Sequence, residues 1–393
     1  MQESSNIHSG ASEKHPQLNG IDMWRTVLLL LGIAFHAASL DRGWFEIIGI
    51  ATHKFRMEAF FAISGLLGAM SMARQGPSLW LSNRLTSLGI PFIFVLFFVN
   101  QFSALFWVAD PSNGSNKVAI LPIGHLWFVV VLAACCFLFA EFTRSGRQAR
   151  VVWNLQSFVP VNNKSYKPDL LLIVVLVGLF ILLELDQVCL IIAESVRPNH
   201  RILGRFITDF STTGARVPYY GVFYALGVLL ATENSAVKFC ISTKRYHWGL
   251  VIAGLLVVTM ICINDGRLVS PATDHREINM FFQNISKLLI ATGATLLIIT
   301  DATTRVRKTN VVIQRISDSS YTVYLTHILF VTIIHSILAR LGFDGTARYL
   351  VTFSAALALS YMTHIYLVKE LPLAALLLNG KIPVTPQKVL DIA

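Results

Sequence analysis

The sequence predicts an all-α, polytopic integral membrane protein with about ten transmembrane helices and both termini in the cytoplasm. Three observations carry that expectation. Hydrophobic residues make up 54% of the 393-residue chain and charged residues 14%, where a soluble domain carries about 25% charged residues. Mean hydropathy is +0.61, and the apolar residues fall into runs near the length of roughly 20 residues that spans a bilayer. The Lys and Arg of the intervening loops fall unequally on the two sides. Together these exclude an ordinary cytosolic enzyme, a disordered chain and a disulfide-rich secreted domain.

Taken in order, the first span is expected near 23–40, in IDMWRTVLLLLGIAFH, and the second near 55–73, opening with FRMEAFFAISG. The third, 88–109, follows a Gly-Ile-Pro start, and the fourth, 125–143, opens with GHLWF. The fifth, 169–193, carries Glu184 and Asp186 towards its outer end, and the sixth, 217–232, is short and contains Gly. The seventh and eighth are expected at 247–264 and 283–300, with Lys287 inside the latter. The ninth, 317–339, and the tenth, 346–368, complete the set. Residues 1–20 and 383–393 are expected to be polar cytoplasmic tails flanking a single membrane domain, 21–382. The N-terminal stretch lacks the basic start and small-residue cleavage site of a signal peptide.

With the N-terminus inside, the loops expected in the cytoplasm hold the larger share of Lys and Arg, among them Arg144, Arg147, Arg150, Lys164 and Lys167. That asymmetry sets the orientation and accounts for a net charge of +10 without a nucleic-acid partner. No basic run alternates with aromatics for base stacking. The five cysteines show no metal-ligand spacing and read as small buried hydrophobes.

Charged and titratable groups at membrane depth cost roughly 2.5–3.5 kcal/mol on insertion scales and need a reason to be there. Arg25 and His36 are eleven residues apart, so at about 100° per residue they share a helix face, roughly 16 Å apart along the axis. Asp22 lies near the same face. Arg25 is thereby placed at the cytoplasmic mouth and His36 past mid-membrane. His327 reaches a similar depth in the ninth span, on one face with Ser320 and Tyr324. His53 and Arg56 open the second span from the outside, and His125 opens the fourth. A lone buried His is commonly a satisfied helix-contact residue, but four converge in the outer half. HExxH and CxxC are both absent, so no metal site is expected, and imidazole acid–base chemistry remains. Ser64 and Gly65 fit close helix packing or a direct polar role. Glu58 lies one turn below the outer surface, where Arg56 or His53 would neutralise it. The basic run from Arg305 to Arg315 reads as a solvated loop or as a contact for an anionic ligand such as a CoA phosphate.

Arg25 and His36 in an R-x10-H spacing, with Asp22 before them, resemble the signature of the membrane acyltransferase 3 family. FFAISG (60–65), SYTVYLTH (320–327) and the Glu370–Pro372 pair are similar to further blocks of that family, in family order. LLLGIAFH (29–36), HKFRMEAFF (53–61), GHLWFVVVL (124–132) and NGKIPV (379–384) resemble its branch that succinylates periplasmic glucans. One departure is visible: Arg84 fits the first position of an R-x-x-R before the third span, but Ser87 occupies the second.

The resemblance implies an O-acyltransferase of a bacterial inner membrane, with no bound cofactor. It implies acyl-CoA, succinyl-CoA or acetyl-CoA, as co-substrate and a periplasmic or surface saccharide hydroxyl as acceptor. On that reading His36, His327 and Tyr324 are catalytic, and Arg25, Asp22 and Arg84 bind the donor. His125, His53, Arg56 and Ser64 bind the acceptor or the acyl group, and Arg56 suits an anionic acyl tail. The competing class is a multi-pass transporter of a glycan precursor or small anion. Inverted repeats and broken helices in matching halves would mark such a transporter, and the sequence displays neither.

Overall fold

The computed structural model describes residues 18–40, 45–108, 123–146, 177–185, 188, 203–232, 240–265, 276–304 and 311–381. Every regular element among them is helical. In chain order they are α1 (Leu18–Ala38), α2 (Glu46–His53), α3 (Arg56–Gln75), α4 (Pro77–Phe94) and α5 (Asn100–Val108). A short 3₁₀ turn leads into α6 (Trp127–Arg144), followed by α7 (Leu203–Thr232) and α8 (Lys244–Asp265). The set closes with α9 (Arg276–Thr304), α10 (Val311–Arg340), α11 (Gly345–Met362) and α12 (Pro372–Asn379).

Six helical stretches among the described residues are long and apolar enough to cross a membrane: Gly20–Ala38, Pro77–Ser103, Gly124–Arg144, Phe281–Thr304, Val311–Arg340 and Gly345–Val368. Large apolar side chains such as Phe98, Phe102, Leu138, Leu256 and Met260 point outward. Such a surface is costly in water and matched to lipid, so the chain is a multi-pass membrane protein. The expected fifth span, both polar tails apart from residues 18–20, and the basic run before Val311 lie wholly or mostly outside the described residues. Arg315, at the end of that run, is exposed.

The helix ends differ from expectation where polarity hides a helix. α4 starts at Pro77, eleven residues before the apolar run. Gly76, at φ 77°, makes the turn from α3, and Pro at the first helical position suits an N-terminus. Pro91 removes one donor inside α4, and the backbone relaxes into a π turn at Val95–Val99 before continuing as α5. α7 begins fourteen residues before the expected sixth span, because Arg205, Asp209 and Arg216 break the apolar pattern without breaking the helix. The short helices α2 and α12 are both too brief to register as spans.

α1 packs against α10, α9, α11, α2 and α3, which places it centrally. A close crossing joins α3 to α7. A methyl added at Gly65 would overlap the Tyr224 carbonyl, and one at Gly227 the Ala62 carbonyl. Two glycines thus let the backbones touch, the small-residue packing common in membranes. Around them Phe61, Trp80, Phe128, Tyr219 and Phe223 form the buried core. Cys135, Cys136 and Cys240 are buried free thiols, and Cys135 and Cys136 belong to the same core.

Candidate active site

The arrangement begins with α1. Its helical spacing puts Asp22 and Arg25 one turn apart, and their side chains pair at 3.5 Å. α10 completes the grip. Ser317 donates to the same Asp22 oxygen at 3.1 Å, and Arg25 Nη2 donates to Ser320 Oγ at 3.1 Å. Each ion is a third exposed, so the guanidinium is held in place while still facing open space.

That space is a cavity of about 360 Å³. One end gathers cations: Arg25, Arg84 and Lys381, with Asp318 and Asn379 beside them. Ser87, where the family pattern has a second Arg, lines the same end and donates to the Arg84 carbonyl at 3.0 Å. Gly380, at φ 61°, sits so near the Ser87 backbone that a Cβ would overlap it. This close approach delivers Lys381 to the mouth beside the vacant Arg position. The walls are apolar, from Leu28, Leu29, Leu67, Leu88 and Leu132. The far end is closed by Phe60, Phe128, Tyr324 and Arg56. Ser64 lines the cavity, whereas its neighbour Gly65 packs on α7.

Beyond that end, three helices bring three imidazoles together. The ring centroids of His36 and His327 are 5.1 Å apart, His125 and His327 5.7 Å, and His36 and His125 6.4 Å. Tyr324 adjoins them, 5.3 Å from His327 and 6.3 Å from His125, and packs on Phe128 at 4.2 Å. His327 is 1% exposed, and its Nδ1 lies 2.7 Å from the Tyr324 carbonyl oxygen. A carbonyl only accepts, so Nδ1 carries the hydrogen and Nε2 presents a lone pair. That Nε2, like His125 Nε2, is buried without a protein partner. Buried polar atoms in a finished structure are normally satisfied, so both await a ligand or water. His36 is only half-buried.

His53 stands apart from this triangle. It is exposed at the end of α2 and stacks on Phe35, centroids 5.3 Å apart. The expected neutralisation of Glu58 by Arg56 or His53 is replaced by another arrangement. Glu58 is fully buried, accepts from the Tyr219 hydroxyl at 3.1 Å, and lies 4.0 Å from Lys287 Nζ. Tyr219 and Lys287 come from α7 and α9, so the pairing is long-range and leaves no local signature. Lys287 inside an apolar span was its one visible hint. Lys381 and Asp318 at the mouth were likewise not singled out, although Lys381 lies within NGKIPV. Among the described residues no group of three or more His, Cys, Asp or Glu is arranged to hold a metal ion.

Comparison with known proteins adds to this geometry. Glucans biosynthesis protein C of Salmonella paratyphi B (strain ATCC BAA-1250 / SPB7) is 30% identical over 135 residues, 28% of this chain and 35% of that protein. The same figures hold for glucans biosynthesis protein C of Salmonella heidelberg (strain SL476). The match thus spans about a third of the length of these relatives. No solved structure matches. The membrane acyltransferase 3 family model, described as an acyltransferase domain, matches residues 18–365, a range that contains the histidine triangle and most of the cavity's lining. The chain therefore belongs to the membrane acyltransferase 3 family.

Proposed function

We propose that this chain moves a small acyl group, succinyl or acetyl, from cytoplasmic acyl-CoA to a hydroxyl of a periplasmic or surface saccharide. The observation that carries this reading is the cavity, cationic at one end and closed at the other by Phe60, Phe128, Tyr324 and Arg56, with the histidine cluster directly behind that end. A CoA thioester has the matching shape: anionic phosphates on a long arm that ends in the reactive carbonyl. Arg25, steadied by Asp22, Ser317 and Ser320, holds the phosphates with Arg84 and Lys381. Charge-assisted contacts of this type are roughly twice as strong as neutral ones. With ten spans and both termini in the cytoplasm, that mouth opens inward and the histidines lie in the outer half of an inner membrane. The similarity to glucans biosynthesis protein C favours a glucan as acceptor.

His36 takes the proton from the saccharide hydroxyl as the oxygen adds to the thioester carbonyl carbon. A tetrahedral adduct forms, its carbon–sulfur bond breaks, and the thiolate leaves with the proton returned by His36. The products are a saccharide ester and free CoA, with no net proton released. His327, fixed by its bond to the Tyr324 carbonyl, and His125 orient the base and the hydroxyl. The Tyr324 hydroxyl donates to the developing oxyanion. His53, Arg56 and Ser64 contact the acyl group or the acceptor. The test is mass spectrometry of envelope glycans from cells with and without this protein. Ester-linked acyl groups that vanish with the protein support the reading, and an unchanged glycan profile refutes it.

A further inference from the structure

Arg56 is buried, 5% exposed, at the junction between the cavity and the histidines. Its Nη1 makes a long contact, 3.4 Å, to the Leu31 carbonyl of α1, and its Cζ lies 4.9 Å over the Phe35 ring. Gly32 leaves it room, since a Cβ there would come within 3.2 Å of Nη1. Its Nε is buried with no partner. Among the described residues no carboxylate forms an ion pair with it, and Glu58 is engaged by Tyr219 and Lys287 instead. A guanidinium offers five N–H donors. Burying this cation inside a membrane protein with Nε unmatched and no carboxylate paired with it is costly, so this position is built for negative charge that arrives with the reactants.

The location says which charge. The mouth cations already answer the phosphates of the donor. Leu31, which Arg56 touches, is five residues before His36, or about 7 Å nearer the mouth along α1. Helical side chains lean towards the N-terminus, which draws the His36 ring back towards Arg56. A donor entering from the mouth therefore meets Arg56 at its thioester, with the acyl chain running on past it. We propose that Arg56 is the oxyanion-binding group of the transfer, donating to the thioester carbonyl oxygen. This rests on the acyl-transfer reading above. As the hydroxyl oxygen bonds to the carbonyl carbon, the C=O electron pair moves onto oxygen, where Arg56 and the Tyr324 hydroxyl hold it. The pair then re-forms C=O as the carbon–sulfur bond breaks and the thiolate takes the proton from His36. The guanidinium thus binds the transition state more strongly than the neutral thioester, which is what accelerates a reaction.

The experiment measures transfer from acetyl-CoA and from succinyl-CoA, in parallel, to a neutral glucan oligosaccharide by purified wild type, Arg56→Gln and Arg56→Lys. CoA thiol release and the mass of the acylated sugar are both read. Arg56→Gln is expected to lower kcat by about 10²–10³-fold with both donors, the cost of one oxyanion donor. KM for each donor should stay within about threefold, because ground-state binding is untouched. Arg56→Lys, with a size-exclusion profile matching wild type, should recover about tenfold of the Arg56→Gln loss, since the charge remains but the planar fork does not. A loss confined to succinyl-CoA and expressed in its KM would overturn the proposal and make Arg56 a reader of an acyl carboxylate. Unchanged kcat with both donors would overturn it as well. Wild type that transfers neither group would instead refute the acyl-transfer reading.

Discussion

Replacing Glu58 by Gln keeps shape and volume but removes one buried charge. The amide oxygen still accepts from the Tyr219 hydroxyl, so that bond, 3.1 Å in the native protein, survives. What is lost is the counter-charge of Lys287, whose side chain is 19% exposed and whose Nζ lies 4.0 Å from Glu58 Oε1. Breaking a fully buried pair costs about 3–5 kcal/mol. The long separation and the partial exposure of Lys287 bring the figure down to about 2 kcal/mol, since water screens part of the interaction. At roughly 2–4 °C per kcal/mol, the melting temperature in detergent falls by about 4–8 °C. Lys287→Met leaves Glu58 as the unpaired charge and costs a similar amount. The double variant, which buries neither charge, is less destabilised than the sum of the singles by at least about 1 kcal/mol. The assay is thermal unfolding followed by fluorescence size-exclusion, with all four proteins compared in one detergent. Additive losses would refute the reasoning, because they would mean that Glu58 and Lys287 do not sense each other.

Other outcomes follow from the same geometry. Ser320→Ala removes one bond to Arg25, worth about 1 kcal/mol, so KM for acyl-CoA rises by about fivefold with kcat retained, as steady-state kinetics would register. Lys381→Ala weakens donor binding most at low ionic strength, and the difference from wild type shrinks as salt screens the mouth; a salt series of donor KM values checks it. Gly227→Val drives a side chain into the Ala62 carbonyl, and the expected result is loss of the folded peak in size-exclusion at normal expression temperature.

Local periodicity made much of the site legible. Asp22 and Arg25 are one turn apart in sequence, so their pairing follows from helix geometry alone, and depth counted along α1 and α10 set His36 level with His327. His125 joined them because GHLWF opens its helix at the same end. The contacts that sequence did not disclose are those made between distant helices. Glu58 meets Tyr219 because Gly65 and Gly227 let α3 and α7 touch, and it meets Lys287 because α9 also packs on α3. Lys381 reaches the mouth only because Gly380 closes on Ser87. The N-terminal half of α7 was hidden for a different reason: Arg205, Asp209 and Arg216 interrupt hydropathy, while helix formation tolerates them. His53 fits the depth argument but not the triangle, since α2 turns it out to stack on Phe35.

The central claim is that His36 removes the proton from a saccharide hydroxyl during acyl transfer from CoA. The most direct measurement supplies acyl-labelled CoA and the envelope glucan fraction to purified wild type and to His36→Ala, each present as a folded monodisperse protein. With wild type, label is expected bound covalently to the saccharide, and with His36→Ala the rate is expected to be lower by about 10²–10⁴-fold. Equal rates from the two proteins, or label that never reaches the saccharide, would contradict it.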